Sequence, residues 1–200
     1  MIEIYHGNGK GKTSAAVGAA VRAAGYGVPV VFCEFLKDGF SGEVSVLEKI
    51  PGIFVILPEF LPDTEKLLSK EDEARLRAEN ANMLKKAIRL MTMLLKQQPS
   101  RKAMAKQRME KIGVVKIRQR EAEIKALFVF DEVLDAVNLN LMDRIGLLRF
   151  LSELPIDVEV ILTGQDPDVS FLSMADYVTN MVKERHPSDF GQDARWGVEK

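Results

Sequence analysis

At 200 residues and 46% apolar content, the chain is sized for one globular domain with a sizeable core. A net charge of -1 sets no overall bias toward nucleic acid or acidic membranes, and no apolar stretch approaches the roughly 20 residues that span a bilayer. One cysteine and two histidines exclude an internal disulfide and a Cys/His zinc cluster, and an opening on Met1-Ile2-Glu3-Ile4-Tyr5 without a basic leader predicts a cytoplasmic protein.

Ile2 to Tyr5 is a β-branched and aromatic run ending in glycines, and Ser14 to Ala24 is alanine-rich and stopped by Gly25. That pattern predicts strand, glycine loop, helix. A second apolar strand is expected over Val28 to Leu36, taking in Cys33 as a buried, unreactive thiol. A third follows the Pro51-Gly52 turn at Ile53 to Leu57. Residues 69 to 96 carry Leu76, Met83, Leu84, Ala87, Leu90, Met91 and Leu94 at helical spacing, which predicts a long helix. Gln97 to Lys125 then holds nine Lys/Arg against three Glu, without aromatics for base stacking. It is read as a basic insertion at about 97–125, a solvated helical hairpin or mobile segment rather than a nucleic-acid patch. Ala126 to Phe130 is a buried strand ending in Asp131-Glu132, Val158 to Leu162 another ending in Thr163-Gly164, and Tyr177 to Met181 a last one. A helix is expected at Met142 to Leu154 and a tail at about 183–200. The alternation implies an α/β fold, a mostly parallel central sheet with helices on both faces and ligands at the carboxyl ends of the strands. Together with the glycine motif at residues 6–13, the expected class is P-loop NTPase-like and RecA-like.

The strongest chemical signal is His6-Gly7-Asn8-Gly9-Lys10-Gly11-Lys12-Thr13, placed between strand and helix as a phosphate loop requires. Glycines let the backbone approach phosphate oxygens, the loop N–H groups form an anion nest, and the helix adds the positive end of its dipole. Gly7, Asn8, Gly9, Lys10, Gly11, Lys12, Thr13 and Ser14 are therefore candidate nucleotide-binding residues. Lys12 would neutralise the outer phosphates, and the Thr13 hydroxyl would be a magnesium (or manganese) ligand. The general motif has glycine six residues before the lysine, where this chain has His6. Asp131 and Glu132, delivered at the exit of an apolar strand, are candidate metal ligands, with Glu132 and Lys12 the catalytic candidates. The competing reading of the acids is a helix N-terminal cap.

These two motifs alone describe nucleotide-binding proteins from kinases to motors. Further stretches narrow them: Gly7 to Ala16 followed by Arg22-Ala23-Ala24-Gly25-Tyr26-Gly27, Phe35-Leu36-Lys37 with Ser41-Gly42-Glu43, Asp131 to Val137, Val160 to Gly164, and His186-Pro187-Ser188-Asp189-Phe190-Gly191 with Ala194, Gly197, Val198 and Glu199. In order and spacing these resemble the ATP:corrinoid adenosyltransferases, over residues 2 to 50 and 126 to 199. The family commonly lacks glycine where His6 stands, which makes His6 structural. Three departures remain. Gln165 stands where the family often has arginine, Asp193 where it usually has lysine, and Asp38 where it has glycine.

The resemblance implies transfer of the 5′-deoxyadenosyl group of ATP to the Co(I) of cob(I)yrinic acid a,c-diamide or cob(I)alamin, with triphosphate released. Asp131 or Glu132 would then hold magnesium and stabilise charge on the leaving triphosphate, rather than activate water. Phe40, Phe54 and Phe60 are candidates for the corrinoid side, although each also fits a core position. The resemblance further implies a homodimer and a reductase or flavodoxin-type electron donor. Two other classes compete: a P-loop ATPase or kinase unrelated to corrinoids, and a non-catalytic nucleotide- or nucleic-acid-associated protein using the basic segment.

Overall fold

The computed structural model describes residues 1–37, 41–62, 68–97, 124–193, 195 and 197–198. Most of the basic insertion, together with Asp38, Phe40, Ala194 and Glu199, lies outside the described residues. Strands β1 (Ile2–His6), β2 (Val30–Glu34), β3 (Ile53–Ile56), β4 (Ala126–Asp131), β5 (Val158–Gly164) and β6 (Tyr177–Asn180) form one sheet in the order β3-β2-β4-β5-β1-β6. Every pairing is parallel. All strands therefore end at the same edge, and β5 separates the strand before the glycine loop from the strand that carries Asp131.

Six helices are described: α1 (Lys12–Gly25), α2 (Gly42–Leu47), α3 (Lys70–Gln97), α4 (Val133–Asn138), α5 (Arg144–Ser152) and α6 (Val169–Met174). A 3-10 turn follows at Pro187–Phe190. The strand pleat sorts the core into two layers. On one face Val30, Phe32, Leu127, Val129 and Ile161 pack with Ala16, Ala20 and Ala24 of α1. Those alanines recur every four residues, so α1 presents a flat stripe that lies close to the sheet. On the other face Val31, Cys33, Phe128 and Phe130 pack with Met83, Ala87 and Met91 of α3 and with Leu147 and Leu151 of α5. Met83, Ala87 and Met91 keep the i, i+4 spacing that predicted this helix. Cys33 is fully buried and burial pushes its thiol up, as expected of an inert core cysteine.

Element ends shift from expectation for local reasons. Helix α1 begins at Lys12 rather than Ser14, because Gly11, at φ 114°, already turns the chain into the helix. Strand β2 stops at Glu34, two residues before Leu36 takes a left-handed φ of 59°. Helix α5 begins after Asp143, whose side chain accepts from the Ile145 N–H.

Candidate nucleotide and metal site

The glycine loop leaves β1 at Gly7 (φ 110°) and enters α1 at Gly11. Lys12 folds back over it, donating to the Gly7 carbonyl at 2.7 Å and the Gly9 carbonyl at 3.0 Å. Its ammonium thus sits over the loop where outer phosphates would lie. The loop is clasped by the chain leaving β6. The Gly9 N–H donates to the Met181 carbonyl at 2.7 Å, the Met181 N–H to the His6 carbonyl at 2.7 Å, and the Lys183 N–H to Asn8 Oδ1 at 2.9 Å. Asn8 therefore ties the loop to the tail through its side chain. Lys10 and Ser14 are exposed at the loop and the first turn of α1.

Asp131 ends β4 fully buried, a position that needs partners on every lone pair. Thr13 Oγ1 lies 3.1 Å from both of its carboxylate oxygens, and Thr163 Oγ1 donates to Oδ1 at 2.7 Å. The same Thr163 oxygen accepts the Glu132 N–H at 2.8 Å, so β5 braces both acids. Glu132 occupies the position before α4 in a left-handed conformation (φ 60°) and makes no side-chain cap hydrogen bond. The cap reading is set aside, and a non-glycine residue held at positive φ beside a loop is the kind of strain found at functional sites. Burial pushes the Glu132 carboxyl up to about 7, against the lowering effect of the nearby Lys37 ammonium.

Three residues that motif reading did not assign complete the cluster. Lys37 donates to Asp131 Oδ2 at 2.6 Å, and Glu34 and Glu43 flank it. Glu34 lies directly opposite Asp131 in the β2–β4 register. Its signal in the sequence was an acid inside the apolar run Val28 to Leu36, where a buried carboxylate must find a partner. Hydroxyl and carboxylate oxygens are the hard donors that magnesium takes, and Thr13 with Asp131 supplies them side by side. Among the described residues, no group of three or more His, Cys, Asp or Glu forms a metal cage by itself. Magnesium at phosphate loops uses one or two carboxylates and completes its shell with phosphate and water, so the donor set fits that ion.

The family model described as ATP:corrinoid adenosyltransferase BtuR/CobO/CobP matches residues 1–199. The chain belongs to this family. Corrinoid adenosyltransferases of Sinorhizobium sp and Escherichia coli K12 are 25% and 26% identical over the whole of this chain, covering 79% and 85% of their own lengths. Corrinoid adenosyltransferase CobA of Salmonella typhimurium is 47% identical over 49 residues, 24% of this chain and 25% of its own. Among solved structures, EssC (ATPases 2 and 3) from Geobacillus thermodenitrificans matches with a TM-score of 0.47 and 14% identity, over 98% of this chain and 34% of that one. The fold rests on the sheet itself and not on that likeness.

As a corrinoid adenosyltransferase, the chain is an ATP-dependent enzyme whose loop and acidic strand exit lie together at one edge of the sheet. Of the departures from the family pattern, Gln165 and Asp193 are described. The Gln165 N–H donates to Asp135 Oδ1 at 3.1 Å and its carbonyl accepts from Asn138, so its backbone is bound while the residue is exposed. Asp193 is exposed in the tail. His6 closes β1 in register with Gly164 and Asn180, a structural position. Phe60 lies under the Arg75 guanidinium, 3.7 Å from its carbon to the ring centroid, and Phe54 is a half-buried β3 residue. No described helix is long and apolar enough to cross a membrane.

Proposed function

We propose that this enzyme transfers the 5′-deoxyadenosyl group of ATP to the Co(I) of cob(I)yrinic acid a,c-diamide or cob(I)alamin, with triphosphate as leaving group. The observation that carries the reading is the Thr13–Asp131 contact, which joins a glycine loop to a buried strand-exit acid within a chain matched from 1 to 199 by the family. Co(I) is a strong nucleophile and attacks C5′ directly, so no water requires activation. The work left to the protein is to hold the triphosphate and align the two substrates. Lys12, Lys10 and the loop amides between Gly7 and Ser14, other than the Gly9 N–H bound to Met181, hold the triphosphate. Thr13, Asp131 and Glu132 would hold a magnesium or manganese ion, which when bound supplies positive charge to the departing phosphates.

The reading extends to a cytoplasmic homodimer served by a reductase or flavodoxin-type donor that keeps the cobalt as Co(I). Its test supplies purified protein with ATP, magnesium and chemically reduced corrinoid. The expected result is the spectral change of Co–C bond formation with one triphosphate released per adenosyl group transferred. ADP and phosphate without that change would identify a hydrolase or kinase instead.

A further inference from the structure

Four carboxylates and one ammonium meet beside the phosphate loop, and the sheet register explains why. Glu34 and Asp131 are parallel neighbours at the ends of β2 and β4. The left-handed turn at Leu36 brings Lys37 back over both. Its Nζ lies 2.6 Å from Asp131 Oδ2, 3.4 Å from Thr13 Oγ1 and 3.5 Å from Glu43 Oε1, with Glu34 Oε1 and Glu132 Oε1 each at 3.9 Å. The ammonium therefore contacts the same Thr13 and Asp131 oxygens that a divalent ion at this loop would use.

A second observation points to something the lysine does not satisfy. Glu34 Oε1 is fully buried and, among the described residues, has no hydrogen-bond partner, because 3.9 Å to Lys37 is beyond hydrogen-bond reach. A buried carboxylate oxygen left so is costly unless a ligand or its water completes the shell. One ammonium carries three donors and a single charge, too few for four carboxylates and a hydroxyl. Burial by itself would lower the lysine's basicity, yet Asp131 and the other acids outweigh it, so Lys37 stays charged.

We propose that Lys37 is the built-in counter-ion of the metal site: its ammonium holds the Asp131–Thr13 position in the nucleotide-free enzyme, and a divalent ion entering with the nucleotide displaces it. The triphosphate helps, since it supplies the missing metal ligands. Ordered entry of metal with nucleotide follows, because the unliganded site is already neutralised in part. The inference rests on Thr13 and Asp131 as the metal site and is independent of the adenosyl acceptor.

The test titrates Mn2+ into the full chain without nucleotide, reading free Mn2+ by electron paramagnetic resonance. Lys37→Met is expected to bind one Mn2+ at least tenfold more tightly than the parent, Lys37→Arg to stay near the parent, and Lys37→Met with Asp131→Asn to lose the gain. Equal affinity in parent and Lys37→Met, or a gain that survives Asp131→Asn, would overturn the proposal. Parent protein that binds Mn2+ with ATP in an Asp131-independent manner would instead remove the metal-site reading beneath it. A second measurement needs no variant. Residue-resolved acylation of lysine amines should show Lys37 slow in the nucleotide-free protein and at least fivefold faster with magnesium and a non-transferable ATP analogue. Unchanged protection of Lys37 would also overturn it.

Discussion

Glu34 offers a measurable consequence of placing an acid at the buried end of β2. Burial, opposed chiefly by Lys37, pushes its carboxyl up to about 7 from an ordinary 4.5. The folded protein thus binds this proton more tightly than the unfolded chain does. The group's contribution to stability is complete below about pH 4.5 and is lost as the pH climbs through 7. A rise of that size corresponds to roughly 3 kcal/mol, most of which disappears between pH 5 and pH 8. At about 2 to 4 °C per kcal/mol for a chain of this size, that is roughly 5 to 10 °C in Tm. Glu34→Gln keeps the shape, the Ser41 contact and the neighbours but cannot titrate. Thermal unfolding in EDTA without nucleotide should therefore show the variant gaining on the parent by about 5 °C or more on going from pH 5 to pH 8. Glu132 is also pushed up by burial, but it titrates in both proteins and cancels in the comparison. A Tm difference that is the same at both pH values, or larger at pH 5, would show that Lys37 outweighs burial and that Glu34 is ionised throughout.

Lys12→Ala removes the ammonium that spans the Gly7 and Gly9 carbonyls, and should abolish adenosyl transfer by more than a hundredfold while the circular dichroism spectrum and Tm stay close to the parent. Normal turnover in that variant would remove the phosphate-loop argument. Gly9→Ala places a Cβ 2.6 Å from the Met181 carbonyl oxygen, so the loop or the tail must shift; equilibrium dialysis with an ATP analogue should show at least a tenfold loss of affinity. Thr163→Val deletes the hydroxyl that accepts from Glu132 N–H and donates to Asp131, leaving two buried polar groups short of a partner. Urea unfolding should register a loss of about 2 to 4 kcal/mol, and a loss under 1 kcal/mol would mean that the bracing is not structural.

What could be read from the sequence was local. The β1–loop–α1 unit is contiguous, so its strand, glycines and alanine helix announce one another within 25 residues. The acid at the end of β4 was equally visible, because a carboxylate that closes the buried run Ala126 to Phe130 stands out against its apolar neighbours and must find a partner there. Strand order was not visible in the same way. That Glu34 faces Asp131 depends on pairing between residues 97 apart in the chain, and that β5 lies beside β1 on pairing between residues 158 apart. Lys37 and Glu43 stood in the sequence as part of a family pattern without a role, and only the left-handed turn at Leu36 brings Lys37 onto Asp131. Thr163 was likewise a strand-exit residue whose two hydrogen bonds appear only when β4 and β5 are set side by side.

The loop glycines answer to two demands, and only one concerns the nucleotide. A Cβ on Gly7 would overlap the Asn180 side-chain oxygen and the Met181 carbonyl, and one on Gly9 would meet that carbonyl as well. Gly11 faces no such barrier, its nearest neighbour being the Met181 sulfur at 3.6 Å, yet its φ of 114° is one that side chains rarely accept. Gly7 and Gly9 are thus required by the chain leaving β6, and Gly11 by the entry into α1. This couples the two blocks that carried the family resemblance, since Met181 and Lys183 fasten the start of the tail to the loop through Gly9 and Asn8. Beyond them, Lys183 pairs with Asp189 at 2.7 Å, and His186 caps the turn at Pro187–Phe190 by accepting the Ser188 N–H at 3.2 Å. The closing motif is therefore tied to the phosphate loop by a short chain of hydrogen bonds. A change in loop geometry on nucleotide binding has a direct physical route to the tail, through the Met181 carbonyl.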